Sequence, residues 1–146
     1  MSEEGHALSG DFENGAHRLR LRVYYEDTDF SGVVYHANYL RYLERGRTDY
    51  LRLAGVDQSR LHAQEGGLAF VVRRMNLDFA APARMDDVLV VETRVAEARG
   101  ASLTMRQRVL RGDAELLSAE VLVACIRAGR AARIPPAVLA ALRVGD

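Results

Sequence analysis

A chain of 146 residues is long enough for one domain with a substantial core and too short for two of ordinary size. Its 20 basic and 20 acidic side chains cancel, so the charge footprint of nucleic-acid binders is missing and no nucleic acid is expected as a partner. The single cysteine, Cys125, has no intrachain partner, no apolar run approaches the roughly 18 residues of a membrane span, and no basic-then-apolar leader opens the chain; a reducing, cytoplasmic location is expected, with attachment to a membrane surface through a partner left open.

Residues 1–16 are rich in Ser, Glu, Gly, His and Asn, with Leu8 and Phe12 as isolated apolar side chains. They read as a mobile extension ahead of one domain over residues 17–146. His6 and His17 have no Cys or carboxylate at ligand spacing, so they read as solvated histidines, and no metal site is expected. Residues 17–25 alternate strictly, with Leu19, Leu21, Val23 and Tyr25 on one face and Arg18, Arg20, Arg22 and Tyr24 on the other, the period of a half-buried strand. Residues 38–54 then carry Tyr39, Leu43, Tyr50 and Leu53 at helical steps, flanked by Leu40 and Leu51, and Gly55 closes the helix. Gly46 at mid-helix costs about 1 kcal/mol against Ala; the expected compensation is close approach of the helix backbone to a sheet.

Residues 56–67 are polar, with a short helical turn over 59–64. Residues 68–79 read as a strand that Pro82 ends, with Phe70, Val72, Arg74, Asn76 and Asp78 opposing Val71, Arg73, Met75, Leu77 and Phe79. Three further strands, 88–98, 101–110 and 116–127, are joined by turns at Arg99-Gly100 and Gly112-Asp113. The last is apolar on both faces, the pattern of an interior strand covered on both sides. A short helix over 137–142 follows Pro135-Pro136. Three strands in an antiparallel meander and one long helix make an α+β domain in which the helix lies across the concave face of the sheet.

Chemistry-bearing residues crowd the junction of the first strand and the long helix, where a loop containing Asp27, Asp29 and Gly32 runs into His36. The start of a helix offers backbone N–H groups without intrahelical partners and a partial positive charge, both suited to a developing oxyanion. An aspartate in the same loop can attack a carbonyl held there or activate water against it. By spacing alone, a loop aspartate is equally a turn former or an N-cap.

The segments Tyr25-Glu26-Asp27-Thr28-Asp29, Gly32-Val33-Val34-Tyr35-His36 and Tyr42-Leu43-Glu44-Arg45-Gly46-Arg47-Thr48 resemble the hotdog-fold acyl-CoA thioesterases of the 4-hydroxybenzoyl-CoA thioesterase type, most closely the subgroup associated with the Tol-Pal cell-envelope system. The resemblance extends less specifically through Phe79-Ala80-Ala81-Pro82-Ala83 and the later strands. It implies a hotdog fold, a curved antiparallel sheet of about five strands wrapped around one long helix. It also implies hydrolysis of acyl-CoA thioesters by a homo-oligomer, dimer or tetramer, with sites at the subunit interface and no cofactor. Acyl carrier protein and envelope-associated proteins come into view as partners.

In the family pattern the catalytic carboxylate is the second aspartate of Asp-x-Asp, here Asp29, and the position seven residues on is His36. His36 then orients substrate or exchanges a proton, or is structural. Tyr25 hydrogen-bonds the carboxylate or water, or packs in the core. Asp27 is expected to shape a turn or pair with an arginine. Gly32, Val33, Val34 and Arg73 make up the substrate-binding set. Arg73 stands there for the cations that the phosphates of coenzyme A need, and Arg74, Arg84, Arg127, Arg130 and Arg133 compete for that role. Glu44 lies about 12 Å along the helix from His36 at 1.5 Å per residue, too far to share a carbonyl with Asp29, and is expected to pair with Arg41 or Arg47. The competing reading is a non-catalytic scaffold for acyl-CoA or acyl carrier protein. A hotdog dehydratase would want its acid on the helix with a histidine beside it, which Glu44 lacks.

Overall fold

The computed structural model describes residues 8–145. Its first element, β1 (Asp11–Glu13), folds back through Asn14-Gly15, both at positive φ, onto β2 (Ala16–Arg22). Part of the expected mobile extension is therefore a hairpin, while residues 1–7 lie outside the described residues. Phe12 anchors it, with its ring edge-on to His17 at 5.6 Å and to Tyr50 at 5.0 Å. A three-residue strand is too short for its period to show in sequence.

The long helix α1 (Asn38–Leu53) and the short α2 (Gln58–Gln64) precede β3 (Ala69–Phe79). The meander follows as β4 (Val88–Arg99), β5 (Ser102–Arg111) and β6 (Ala114–Arg127), then β7 (Arg130–Ala131) and α3 (Pro136–Ala141). The strands pair antiparallel in the order β1-β2-β4-β5-β6-β3, with β7 on β6. Five long strands thus wrap α1 in the hotdog arrangement, with two short strands added at its margins. Register shifts at Val72/Arg74, Val95/Glu97 and Val109/Leu110 bend the strands that carry them.

α1 buries Tyr39, Tyr42, Leu43, Gly46, Tyr50 and Leu51. A Cβ on Gly46 would lie 2.7 Å from Val91 Cγ1, 2.9 Å from Thr93 Oγ1 and 3.1 Å from Gln107 Nε2, so this glycine lets helix and sheet touch. At that depth the buried Gln107 donates through Nε2 to the Leu43 carbonyl and to Thr93 Oγ1, both at 2.9 Å. Its Oε1 accepts Arg47 Nη1 at 3.0 Å.

Three expectations change. The bulge skips Arg73, so Phe70 packs against the core together with Met75 and Leu77 instead of opposing them. β6 is interior to the sheet, but no layer of the described chain covers its outer face, where Glu120 is exposed. That face carries an ion-pair ladder instead: the buried Glu92 carboxylate accepts Arg18 Nη1 and Arg108 Nη2, each at 2.9 Å. His17, expected in solvent, is fully buried against Phe12 and Tyr50. The Tyr50 hydroxyl in turn accepts the Arg143 amide at 2.9 Å, so both ends of the described chain close on one aromatic cluster.

Two outcomes follow. Gly46→Ala is expected to lower stability by about 1–3 kcal/mol in urea unfolding despite alanine's better helix propensity, because the branched Val91 side chain cannot yield; an unchanged or raised midpoint contradicts the close approach. His17 Nε2 donates to the Ser9 carbonyl at 2.5 Å, its buried Nδ1 has no partner among the described residues, and desolvation holds its pKa below the ordinary histidine value of 6.5. The folded state keeps the ring neutral while the unfolded chain takes up a proton as pH falls below that value. Stability is therefore present above about pH 6.5 and lost as the solution is acidified further. His17→Gln should flatten the pH dependence of the unfolding midpoint between about pH 7.5 and 5.5. An equal slope in both proteins contradicts it.

Candidate active site

The chain leaves β2 at the buried Val23, whose N–H and C=O bond Asp87 and Asp86 at 2.9 Å each. It then tightens into a 3-10 turn at Tyr25–Asp27. Asp27, only 9 % exposed, makes this turn: Oδ2 accepts the Tyr24 amide at 2.8 Å, Oδ1 accepts Asn38 Nδ2 at 2.6 Å, and its carbonyl accepts the Tyr35 amide at 2.9 Å. It does so with amide donors and no arginine. Tyr42 places its buried hydroxyl beside Asn38 and Asp27; burial first, then the Asp27 charge, push its phenol above the ordinary tyrosine range, while Asn38 opposes them.

Beyond Asp27 the loop is a small hairpin. Thr28 pairs with Val34, the Asp29 amide donates to the Val33 carbonyl at 2.9 Å, and the Gly32 amide donates to the Asp29 carbonyl at 3.0 Å. Gly32 sits at φ +80° with open space where a side chain would point, so this turn needs its backbone freedom rather than its small size. The Asp29 carboxylate is exposed and accepts the Ser31 amide at 2.9 Å. The hairpin is pinned from below: Val33 bridges Arg84, the Val34 amide donates to the Ala83 carbonyl at 2.8 Å, and the Ala83 amide donates to Tyr39 Oη at 3.0 Å.

Two clefts flank this hairpin. Tyr25, Thr28, Asp29, Phe30, Gly32 and Met85 line one. Val34, His36, Tyr39, Phe79, Ala80, Ala81 and Pro82 line the other. Asp29, Tyr25 and Gly32 thus come together, as do Val34 and His36, but no residue lines both clefts. His36 is exposed, its ring tilted against Tyr35 at 4.5 Å. Among the described residues the backbone N–H groups of His36 and Ala37, just ahead of α1, meet no acceptor.

Tyr25 departs from the sequence reading. β2 stops at Arg22, and Tyr25, 82 % exposed, belongs to the turn that Asp27 imposes rather than to the inner strand face. Arg73 also stands apart: it is exposed at the β3 bulge, roughly 20 Å along the strand from Phe79 in the His36 cleft at about 3.3 Å per residue. Arg47, one of the two arginines expected to pair with Glu44, donates to Gln107 and also feels the Glu44 charge. Arg127 is engaged by Glu65, through the carbonyl at 2.6 Å. Sequence reasoning missed the holding residues Asn38, Tyr39 and Ala83. The one usable signal was Asn38, an amide side chain at the helix start within reach of a loop carboxylate. Among the described residues no cluster of His, Cys, Asp and Glu is placed to hold a metal.

Residues 23–142 match the family model described as the Thioesterase-like superfamily. The chain belongs to this family. It is 48 % identical over 110 residues, 75 % of this chain and 80 % of the relative, to the acyl-CoA thioesterase YbgC of Haemophilus influenzae. It is 31 % identical over 104 residues, 68 % of this chain and 74 % of the relative, to the 4-hydroxybenzoyl-CoA thioesterase of Pseudomonas sp. strain CBS-3. The crystal structure of a probable thioesterase from Bartonella henselae superposes with a TM-score of 0.79 at 44 % identity, covering 82 % of this chain and 99 % of that one. The Thioesterase-like match spans the hairpin, both clefts and the whole of α1.

In this Thioesterase-like chain Tyr39 joins α1 to the floor of the hairpin. Tyr39→Phe should leave the buried Ala83 amide without its acceptor and lower stability by about 1–3 kcal/mol in urea unfolding; a midpoint equal to wild type contradicts the role given to that bond.

Proposed function

We propose that this chain hydrolyses acyl-CoA thioesters, with Asp29 attacking the thioester carbon or activating water against it while the amides of His36 and Ala37 hold the carbonyl oxygen. The observation that carries this reading is the short segment from Asp29 to Ala37, which presents an exposed carboxylate and, among the described residues, two backbone N–H groups without acceptors. Relatives named as acyl-CoA thioesterases support it.

A thioester suits so small a set. The departing thiolate has a pKa of about 8.5, so it leaves without a strong general acid. In the direct route an Asp29 oxygen bonds the carbonyl carbon, the C=O electron pair moves to the oxygen between the open amides, and its return expels the thiolate; water then opens the mixed anhydride. In the other route the carboxylate takes a proton from water as that water attacks. The Asp29 carboxylate is on the surface, and leaving its Ser31 amide costs little there. Tyr25, on the wall of the same cleft, can steady the carboxylate or the water, and His36 orients the thioester from the helix side. Gly32, Val33 and Val34 offer backbone between them.

A dimer would complete the site. β3 pairs with β6 and, among the described residues, leaves its other edge open, and Val71, Val72 and Phe79 on it are 40 %, 44 % and 49 % exposed. An open apolar edge favours pairing with a second copy. Antiparallel pairing of two β3 edges carries the Ala69 end of one strand toward the Phe79 end of the other and so toward its His36 cleft, with Arg73 near the middle of the pair. A tetramer is a further pairing of such dimers. No helix among the described residues is long and apolar enough to cross a membrane, and the buried, unpaired Cys125 supports the cytoplasm as the working compartment.

Free-thiol release across a panel of acyl-CoAs and acyl-carrier-protein thioesters tests this directly. The wild type should turn over, and folded Asp29→Asn should lose about 10²–10⁴-fold in kcat. A folded Asp29→Asn protein at the wild-type rate sinks the mechanism. Tight acyl-CoA binding with no thiol release across the panel would support the scaffold instead.

A further inference from the structure

We infer that Asp27 is the positioning residue of this site, setting the angle at which the His36 and Ala37 amides meet the substrate oxygen. The inference rests on the thioesterase reading above. The residues on either side of the open amides are both tied to Asp27. Tyr35, before them, donates its amide to the Asp27 carbonyl at 2.9 Å, and Asn38, after them, donates Nδ2 to the Asp27 carboxylate at 2.6 Å. The loop is closed by the Asn38 amide on the Tyr35 carbonyl at 2.8 Å. The second carboxylate oxygen takes the Tyr24 amide at 2.8 Å, which fixes the whole assembly to the end of β2. Asp29 lies two residues further along the same backbone. The buried Asp27 side chain therefore ties the segment leaving β2 to the start of α1, and its carbonyl holds Tyr35, without the residue touching substrate itself.

The chemistry of the clamp is specific. A carboxylate is acceptor-only, and both of its oxygens here face N–H donors. An asparagine at 27 keeps one acceptor and turns an NH2 toward the other donor, so one of the two ties fails. Exchanging the pair, Asp27→Asn with Asn38→Asp, restores a matched set: the new amide accepts from Tyr24 and donates to the new carboxylate. A misplacement of about 1 Å at a reacting centre costs roughly 10²-fold, so a loosened clamp should show in kcat.

The experiment measures kcat and KM by thiol release for the wild type, Asp27→Asn, the exchanged double variant and Asp29→Asn, each checked for folding by circular dichroism. Asp27→Asn is expected to lose about 10- to 100-fold in kcat with KM within about threefold, and the exchange should recover most of that loss. A merely structural role would lower the folded fraction and leave the kcat of folded protein alone. The inference is overturned if folded Asp27→Asn turns over within about twofold of wild type, or if the exchange recovers nothing while Asp29→Asn is inactive. If Asp27→Asn does not fold, Asn38→Ala, which spares the Tyr24 tie, must show the same split; wild-type kcat in it overturns the inference. Full activity in Asp29→Asn marks the different failure, that of the thioesterase reading itself.

Discussion

The depth at which the long helix meets the sheet governs this molecule. Gly46 brings its backbone against Val91, Thr93 and Gln107, and the fully engaged Gln107 amide locks the two layers at that separation. A side chain at 46 would lift the helix, and its first turn would move with it. The amides of His36 and Ala37 lie just ahead of that turn, and Tyr39 reaches from it to Ala83 beneath the loop. A packing requirement in the core thus sets the height of a site built at the rim.

At the rim, two aspartates separated by one residue have opposite fates. Asp27 is buried with an amide donor on each carboxylate oxygen, so its charge serves geometry. Asp29 is exposed at the tip of a turn, where its carboxylate holds one hydrogen bond, from the Ser31 amide. The difference comes from where Asn38 stands, since its side chain reaches one carboxylate and not the other. Within one chain Asp29 and His36 open onto separate clefts, and the free edge of β3 beside the second is the place where another copy can enlarge it.

Long periodic stretches were legible in the sequence. The helix from Asn38, the meander of β4, β5 and β6 and the close approach at Gly46 all follow from spacing and from the cost of a mid-helix glycine. Where one residue interrupts a period, pattern reading went astray. The bulge at Arg73 re-phased half of β3, and the turn at Asp27 took Tyr25 off the strand face. β1 and the burial of His17 were hidden because three residues carry no period and because a histidine's burial depends on Phe12 and Tyr50, distant or short-range neighbours that no local pattern announces. The residues of the Asp29 loop stand out as a motif, whereas the ones that hold it, Asn38, Tyr39 and Ala83, are ordinary in type and owe their roles to contacts across the fold.

The central claim is that one carboxylate and the open amides ahead of α1 converge on a single thioester. A crystal structure with a non-hydrolysable acyl-CoA thioether analogue whose carbonyl is retained tests it most directly. The account predicts the analogue's oxygen about 2.7–3.1 Å from the His36 or Ala37 nitrogen, with Asp29 about 3–3.5 Å from the carbonyl carbon or one water away. An analogue bound with its carbonyl remote from those amides, or with the Asp29 carboxylate still turned to Ser31 and out of reach, would contradict it.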